Sequence, residues 1–461
     1  MFDVVIVGGG IAGLATAWYA QKAGLNYLLL ESTDRLGGLA QSEQVHGFGD
    51  LPFTVEHGPD GIITRKPWAY ELAQEMGIDV IPLNDLPRRI YVWSYGQLHS
   101  LPDGVHLLVP TKVQPLLQSS LFTWPGKLRM LAEQFIPARE EDGDESVASF
   151  IRRRLGMEAL NKLGEPMLGG VYNADVEQMS IGATFGQFVT LERKHGSLIR
   201  GMKARMSAAQ GSNKSALVSM RDGMGSFADA LAAYVTGEVR LNTPVHAITR
   251  DEDGLNVTLE DDVIPARAVV LTTPASVSAG LLREIVPDVA TGLESIRYEG
   301  VGSVSLGYHA EDIPHALDAY GVVIPRTEKR RIDGITFASA KWENRAPEGY
   351  HLLRVFFGGP NTRETLNSSD NDIVATAQHE LREILGITAE PVMTRVKKLT
   401  AAYPQYDVGH SERIAKIKTN LPEGIELAGL TYGGVGIPDT IRGAKEAVDR
   451  ISKRLPQRDE V

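Results

Sequence analysis

The chain has 461 residues, with 47 basic and 58 acidic side chains and a formal net charge of −11. Its 43% hydrophobic and 23% charged residues are typical of a soluble globular protein and exclude wholesale disorder. The acidic balance argues against a nucleic-acid partner, and the lack of cysteine excludes disulfides, thiolate metal sites and a cysteine nucleophile.

The first thirty residues have the pattern of a βαβ unit. The run over residues 2–7, which is apolar except for Asp3, predicts a buried strand, and the Ala-rich segment that ends at Gly24 predicts a helix. Residues 26–30 predict a second buried strand, which ends on Glu31. Because parallel strands need such a crossover helix, these elements predict an α/β sheet.

A glycine pattern lies between the first strand and the helix. Gly8 allows the tight turn, Gly10 lets a pyrophosphate approach the backbone, and Gly13 lets the helix pack on the strand. The carboxylate of Glu31 is placed to bind a ribose 2′-hydroxyl. The pattern predicts a dinucleotide cofactor, bound by Gly8, Gly9, Gly10, Ile11, Ala12, Gly13 and Glu31.

The segment after Glu31 separates FAD from NAD. Arg35 and the Gly37-Gly38 pair stand where an NAD dehydrogenase is expected to have an ordinary helix. A second glycine turn with an arginine suits a longer ligand that continues along the edge of the domain. The segment therefore favours FAD.

Further strands are predicted in the middle and at the end of the chain. Residues 245–250 and 255–259 predict a hairpin around residues 251–254, and residues 268–273 predict another buried strand. Residues 425–429 predict a late strand, which is followed by a helix with one apolar face.

Two intervening stretches differ in character from these strands. Residues 101–214 have a mostly helical pattern, whereas residues 291–409 alternate turns with short strands at 302–308, 321–325 and 352–357. We therefore expect one discontinuous nucleotide-binding domain that is interrupted by two insertions.

A third glycine-rich loop, residues 432–439, precedes the last helix. Such a loop presents backbone N–H groups and the positive end of the helix dipole, which stabilise negative charge on a reduced flavin ring. We expect Val435, Gly436 and Ile437 to contact a flavin here.

Two segments resemble those of a known flavoprotein superfamily. Residues 35–42 resemble the double-glycine segment of the amine oxidase/phytoene desaturase superfamily, and residues 56–61 resemble its flavin-side turn. These resemblances imply FAD.

Other segments resemble sequence boxes of the porphyrinogen oxidases. They are Leu168 to Asp175, the substrate-domain signature at 321–326, 334–339 and 345–349, and the Pro-Gln-Tyr box from Tyr403 to His410. All of these motifs occur in the expected order, so the chain is similar to the bacterial protoporphyrinogen/coproporphyrinogen oxidase family.

The resemblance implies an α/β fold with a discontinuous Rossmann-like FAD-binding domain, a mixed α+β substrate domain and a helical insertion. The implied boundaries are 1–85 with 215–290 and 410–461 for the FAD-binding domain, 86–100 with 291–409 for the substrate domain, and 101–214 for the helical insertion.

The implied activity is the oxidation of protoporphyrinogen IX to protoporphyrin IX in haem biosynthesis. Six electrons pass through FAD to O₂ and give three H₂O₂. Coproporphyrinogen III, which has four propionates instead of two, is the alternative substrate. Another flavin amine oxidase or desaturase, and a FAD-binding protein without catalysis, stay open as alternatives.

The resemblance also implies contacts for individual residues. Because the flavin N5 accepts the hydride, it implies no catalytic side chain and no metal. Further cofactor contacts are implied for Ser32, Arg35, Gly37, Gly38, Gly58, Pro59, Asp60, Gly61 and Val245. Substrate contacts are implied for Gly170, Val323, Thr336 and Phe356, and propionate contacts for Arg88 and Arg89.

Two departures from the family pattern lie near the expected pocket. Asn173-Ala174 replaces the usual Ala-Gly, and Leu399 stands where relatives usually have a Trp. Diphenyl-ether-type inhibitors are expected to bind such a pocket, and these two departures are expected to weaken their binding.

The expected location is the cytoplasm. No apolar stretch is long enough to span a membrane, and the first strand begins at residue 2 and leaves no room for a signal peptide. The apolar residues between 101 and 122 leave two explanations open, peripheral contact with the cytoplasmic membrane and burial within the fold. The sequence does not predict an oligomeric state.

Overall fold

The computed structural model of the protein describes residues 1–208, 217–252 and 254–455. Its strands are β1 (Phe2–Val7), β2 (Tyr27–Leu30), β3 (Ser42–Val45), β4 (Phe53–Glu56), β5 (Ile62–Ile63), β6 (Val80–Pro82), β7 (Tyr91–Ser94), β8 (Gln97–Ser100), β9 (Val105–His106), β10 (Val109–Pro110), β11 (Leu217–Met220), β12 (Glu238–Arg240), β13 (Ala247–Arg250), β14 (Leu255–Thr258), β15 (Val263–Leu271), β16 (Tyr298–His309), β17 (Gly321–Val323), β18 (Gly334–Phe337), β19 (Tyr350–Phe357), β20 (Met393–Pro404) and β21 (Ile425–Leu427).

The α-helices cluster between residues 113 and 208 and also flank both large sheets. They are α1 (Ile11–Lys22), α2 (Trp68–Glu75), α3 (Val113–Gln118), α4 (Trp124–Leu131), α5 (Val147–Arg154), α6 (Met157–Ala159), α7 (Gly170–Tyr172), α8 (Ile181–His195), α9 (Leu198–Ala208), α10 (Gly225–Tyr234), α11 (Ala275–Leu282), α12 (Pro287–Glu294), α13 (Ala338–Lys341), α14 (Arg363–Leu366), α15 (Asp370–Leu385), α16 (His410–Thr419), α17 (Leu430–Gly433) and α18 (Ile437–Arg454). Between α6 and α7, Leu160–Gly169 winds as a π-helix.

The first large sheet confirms the predicted βαβ unit. Its order is β12-β2-β1-β15-β14-β13, with β21 also paired to β15. Strand β1 lies between parallel neighbours, and side chains alternate between its two faces. Val4 and Ile6 therefore pack with helices α1 and α18, whereas Val5 and Val7 pack into a second core with α11 and α12. Both faces are buried, which explains the continuous apolar run.

The second large sheet has the order β20-β16-β19-β18-β17-β7-β8. Strand β16 pairs antiparallel with both β19 and β20. One face packs against α15 through residues that include Leu306, Leu353 and Leu381. The predicted strands at 302–308, 321–325 and 352–357 lie in this sheet, and the first is longer than predicted.

The helices between residues 113 and 208 form a core of their own. The apolar residues that raised the question of membrane contact are mostly buried in this core: Leu108, Val109, Leu116, Leu121 and Phe122. Burial within the fold therefore explains them. Within residues 1–208, 217–252 and 254–455, no helix is both long enough and apolar enough to cross a bilayer.

The predicted hairpin is confirmed, because β13 and β14 pair antiparallel with Arg250 opposite Leu255. Asp253 in its turn lies outside the described residues. The predicted boundary between residues 214 and 215 and the last predicted residues, 456–461, also lie outside them. The division into domains stays a prediction.

Candidate functional site

The turn between β1 and α1 is built from close backbone contacts. A Cβ atom on Gly13 would lie 1.8 Å from the carbonyl oxygen of Gly8, so no other residue fits there without moving the backbone. Gly8 itself has φ +108°, which other residues rarely adopt. This geometry explains why the pattern needs glycine at both positions.

The second glycine turn faces the first one across backbone atoms alone. Gly37 N donates to Gly9 O at 2.9 Å, and a Cβ on Gly38 would lie 3.0 Å from Gly10 Cα. Arg35 donates to the carbonyl oxygen of Gly38 at 2.7 Å, so its guanidinium stabilises the turn. The two turns leave backbone groups open to a ligand, as a pyrophosphate requires.

The carboxylate of Glu31 is oriented by the same loop. One oxygen accepts from Gly9 N at 2.6 Å, and the other accepts from Thr33 N at 2.8 Å. No side chain caps the N-terminus of α1, and its first turn has no acidic residue. The free amides of that turn fit a diphosphate, and the carboxylate at the end of β2 fits a ribose hydroxyl.

The other predicted cofactor residues lie around this loop. Ser32 follows Glu31 at the surface, and Val245 is half-buried beside the segment whose Thr243 N donates to Glu31 O. A Cβ on Gly58 would lie 1.9 Å from Leu39 O, which places the turn from Gly58 to Gly61 against the double-glycine segment.

The C-terminal glycine loop is anchored through four consecutive carbonyl oxygens of α17. Each of them accepts a hydrogen bond from a different side chain. The pairs are Tyr406 to Leu430, His410 Nε2 to Thr431 at 3.0 Å, Lys418 to Tyr432 at 3.0 Å and Arg442 to Gly433 at 2.7 Å.

Tyr406 also accepts from Gly434 N at 3.0 Å, and its ring stacks on His410 with 4.0 Å between centroids. Since a carbonyl oxygen can only accept, His410 Nε2 carries the proton. No side chain caps Gly436 at the N-terminus of α18. Val435, Gly436 and Ile437 therefore lie on a fixed loop with uncapped amides, which fits a flavin ring.

A cavity of about 470 Å³ lies between the second sheet and the π-helix. Its volume is within the range of about 300–1,000 Å³ of small-molecule sites. The sequence-predicted residues in its lining are Gly58, Pro59, Asp60, Gly170, Val323, Thr336 and Phe356. A Cβ on Gly170 would meet nothing within 4 Å, so this glycine borders open space. The structure thus brings the flavin-side turn and four predicted substrate residues together.

Three cations that the sequence did not indicate also line the cavity. Lys341 pairs with Asp60 at 2.8 Å, and Arg326 pairs with Glu165 at 2.9 Å. Buried Arg354 donates to Gly58 O at 2.9 Å, and its guanidinium lies 4.7 Å from the ring centroid of Phe356. Each cation has a protein partner and also faces the cavity.

Three carboxyl groups in the cavity lining differ in their pKa. Burial raises the pKa of Asp60, but Lys341 and Arg354 outweigh it and lower the pKa overall. Burial raises the pKa of Glu165 to about 7, despite Arg326. Burial also raises the pKa of Asp333, whose Oδ2 accepts from Thr362 and from Gly359 N.

Arg88 and Arg89 are not in the cavity lining, so the structure does not bring them together with the other predicted substrate residues, and their contact with the propionates stays a prediction. Both are exposed, and Arg88 pairs with Asp318. The adjacent Ile90 lines the cavity instead.

A sequence model of the family of flavin-containing amine oxidoreductases matches residues 11–452. The chain belongs to this family. Membership confirms the prediction of a flavin cofactor, FAD, and identifies the protein as an oxidoreductase. The two facing glycine turns, oriented Glu31 and the uncapped amides of α1 and α18 fit FAD.

Relatives within this family match along nearly the whole chain. A Bacillus subtilis protein named coproporphyrinogen III oxidase is 32% identical, over 96% of this chain and 97% of its own length. Protoporphyrinogen oxidase 1 of Arabidopsis thaliana chloroplasts is 29% identical, over 98% of this chain and 88% of its own.

A crystal structure from Exiguobacterium sp. 255-15, assigned as a protoporphyrinogen oxidase, has the same fold. It superposes with a TM-score of 0.86 at 31% identity, over 98% of this chain and 99% of the other. These matches confirm the resemblance to the porphyrinogen oxidases that the sequence boxes indicated.

Proposed function

We propose that the protein oxidises a porphyrinogen in the cavity between the second sheet and the π-helix, with FAD as the electron acceptor. The observation that carries this proposal is the juxtaposition of Gly170, Val323, Thr336 and Phe356 with the turn from Gly58 to Asp60. The substrate residues and the flavin-side turn were predicted separately, and they border one space.

The lining offers apolar and aromatic contacts to the pyrrole rings of a macrocycle. Open space beside the Cα of Gly170 lets a ring lie directly on the backbone of the helix. Val323 and Thr336 lie on neighbouring strands β17 and β18. The ring of Phe356 provides an aromatic face, which stacks with a pyrrole ring at a separation typical of aromatic pairs.

We propose coproporphyrinogen III as the better substrate, on the basis of the name of the Bacillus subtilis relative. Protoporphyrinogen IX, the substrate predicted from the sequence, is the second candidate. The name of the Arabidopsis thaliana relative supports it.

Bound FAD supplies the acceptor for a hydride from a meso carbon and passes the electrons to O₂. The residues of the chain bind and orient the macrocycle and exclude water from the reacting carbon. Arg354 links the two sides of the cavity, because it donates to Gly58 of the flavin-side turn and lies against Phe356.

The test is aerobic turnover of coproporphyrinogen III and protoporphyrinogen IX in parallel, followed by porphyrin fluorescence. Heat-inactivated protein measures the spontaneous oxidation of each substrate. We expect faster turnover of coproporphyrinogen III, with three H₂O₂ for each porphyrin. Turnover of neither substrate by FAD-loaded protein would overturn the proposal.

Inhibitor binding stays a prediction. Asn173 adopts a left-handed conformation with φ +49°, and its amide nitrogen donates to Gly300 O. Its side chain occupies part of the cavity wall that a smaller residue would leave open. Replacing Asn173-Ala174 by Ala-Gly is expected to tighten the binding of diphenyl-ether inhibitors, measured as the concentration that halves turnover.

A further inference from the structure

One corner of the cavity contains more carboxyl groups than cations. The guanidinium of Arg326 lies 2.9 Å from a carboxylate oxygen of Glu165 and 3.0 Å from one of Asp175. Asp333 lines the cavity beside Glu165 and also acts on it electrostatically. One positive charge therefore faces three carboxyl groups, and such a corner stabilises an extra proton.

We propose that Glu165 is a catalytic residue, which accepts the pyrrole N–H proton that leaves the macrocycle with each hydride. This inference rests on the proposed porphyrinogen oxidation. It adds a catalytic side chain where the sequence predicted none.

The reaction requires such an acceptor. When a hydride leaves a meso carbon, the C–H bond breaks and its electron pair goes to FAD. The positive charge that remains is delocalised onto a pyrrole nitrogen, and a double bond forms between the meso carbon and the ring. Loss of the N–H proton to a carboxylate then makes the macrocycle neutral. Each round thus removes one hydride and one proton from the substrate. After the third round, one proton shifts from the remaining meso CH₂ to a pyrrole nitrogen, which gives the porphyrin with four meso C–H and two N–H groups.

Of the three carboxyl groups in the lining, Glu165 suits this role best. Asp60 pairs with Lys341 at 2.8 Å, with Arg354 also nearby, so it stays ionised and is a weak base. Asp333 Oδ2 accepts two hydrogen bonds, from the Thr362 hydroxyl at 2.7 Å and from Gly359 N at 3.1 Å. Oε2 of Glu165 accepts one, from Arg326 N at 3.0 Å, and its Oε1 forms an ion pair with the Arg326 side chain.

The surroundings of Glu165 support proton transfer near neutral pH. Burial raises its pKa to about 7, close to the ideal for a general base. Its side chain is 16% exposed, so a proton taken from the substrate has a path to solvent. Arg326 and Asp333 face it from other elements, and Asp175 reaches it through Arg326. Lys162 on the same helix pairs with Glu158 instead.

The test compares Glu165→Gln with the matched variant Asp175→Asn. Both side chains pair with Arg326, but only Glu165 lines the cavity. The measurement is the rate of flavin bleaching by coproporphyrinogen III without O₂, between pH 5.5 and 8.5, with KM determined at each pH. Thermal unfolding checks that both variants fold.

In the wild-type protein, we expect the bleaching rate to fall tenfold per pH unit below about pH 7, because the carboxylate becomes protonated. Glu165→Gln is expected to bleach about 100-fold more slowly and to show no fall in rate at acid pH, with a KM within about threefold of the wild-type value. Asp175→Asn is expected to keep its rate at high pH. Its acid limb moves to lower pH, because Arg326 then interacts with one carboxylate fewer.

A Glu165→Gln variant with the rate and pH profile of the wild type would overturn the inference and leave porphyrinogen oxidation intact. A wild-type protein that no porphyrinogen bleaches would instead overturn the proposed function. An acid limb that is unchanged in Asp175→Asn would also count against Glu165 as its source.

Discussion

The dinucleotide loop and the substrate cavity of this protein are built in opposite ways. The loop consists of backbone atoms from residues that are close in the chain, and Gly8 and Gly13 touch with no room for a side chain. The cavity consists of side chains from distant segments, such as Asp60, Glu165 and Phe356. Backbone contacts leave a fixed glycine pattern in the sequence, whereas side chains from distant segments leave none.

The strongest test of this comparison removes the buried arginine that joins the two regions. Arg354 on β19 donates to Gly58 O and to Ser303, and it balances the charges of Asp60 and Glu56. Arg354→Met removes the side-chain donor to Gly58 O and one buried cation that acts on Asp60 and Glu56, so we expect the free energy of unfolding to fall by about 3–5 kcal/mol. Urea unfolding of the FAD-loaded protein measures this loss.

The control is Arg395→Met. Arg395 also joins the second sheet to the FAD-side segment, through Glu43 at 2.7 Å, but its side chain is 39% exposed. An exposed pair contributes at most about 1 kcal/mol. Equal losses in the two variants would show that burial is not what makes Arg354 important.

The next test adds one methyl group to the loop. A Cβ on Gly13 would overlap Gly8 O at 1.8 Å, so we expect Gly13→Ala to lower the unfolding free energy by about 3 kcal/mol. The turn must also open, so we expect FAD to be lost on desalting, measured by visible absorbance. Gly443→Ala on α18 is the control, because its Cβ meets nothing within 4 Å. Retention of FAD by Gly13→Ala would contradict this account of the loop.

A smaller effect is expected from the histidine that anchors the C-terminal glycine loop. Burial lowers the pKa of His410 to about 4, so the neutral ring stabilises the fold above pH 6.5 and this contribution is lost as the pH falls. Between pH 6.5 and pH 5 the loss is about 2 kcal/mol. His410→Gln keeps a donor for Thr431 O but takes up no proton.

When the pH is lowered from 7.5 to 5, the unfolding free energy of the wild type is therefore expected to fall by about 2 kcal/mol more than that of His410→Gln. Exposed His246→Gln serves as the control and is expected to show no such change. A pH-independent difference for His410→Gln would contradict the buried neutral state.

The smallest effect tests the open space in the cavity. Gly170→Ala is compatible with the helical backbone there, since φ is −60°, and we expect the unfolding free energy to rise by up to about 1 kcal/mol. The same methyl group enters the space proposed for the macrocycle, so KM is expected to rise about tenfold. Gly280→Ala on α11, an exposed glycine with nothing within 4 Å, gives the stability gain without the change in KM. An unchanged KM for Gly170→Ala would place the substrate elsewhere.

Features built from residues close in the chain could be predicted from the sequence, whereas most of the cavity, which is built from distant segments, could not. The βαβ unit and the β13–β14 hairpin were predictable because their apolar periods are regular. Strand β20 was not predictable, because it is an edge strand in which buried, half-buried and exposed side chains follow one another without clear alternation. Among the cavity residues, Arg354 could have been singled out from the sequence, because it is a single charge within an otherwise apolar strand. Lys341 and Glu165 could not, since their roles depend on partners far along the chain.

The most direct test of the central claim is anaerobic mixing of FAD-loaded protein with coproporphyrinogen III, followed by the visible absorbance of the flavin. If the cavity oxidises porphyrinogens, the flavin bleaches within the time of one turnover, and a primary amine such as putrescine leaves it oxidised. Bleaching by the amine but not by the porphyrinogen would contradict the account and assign the cavity to an amine oxidase.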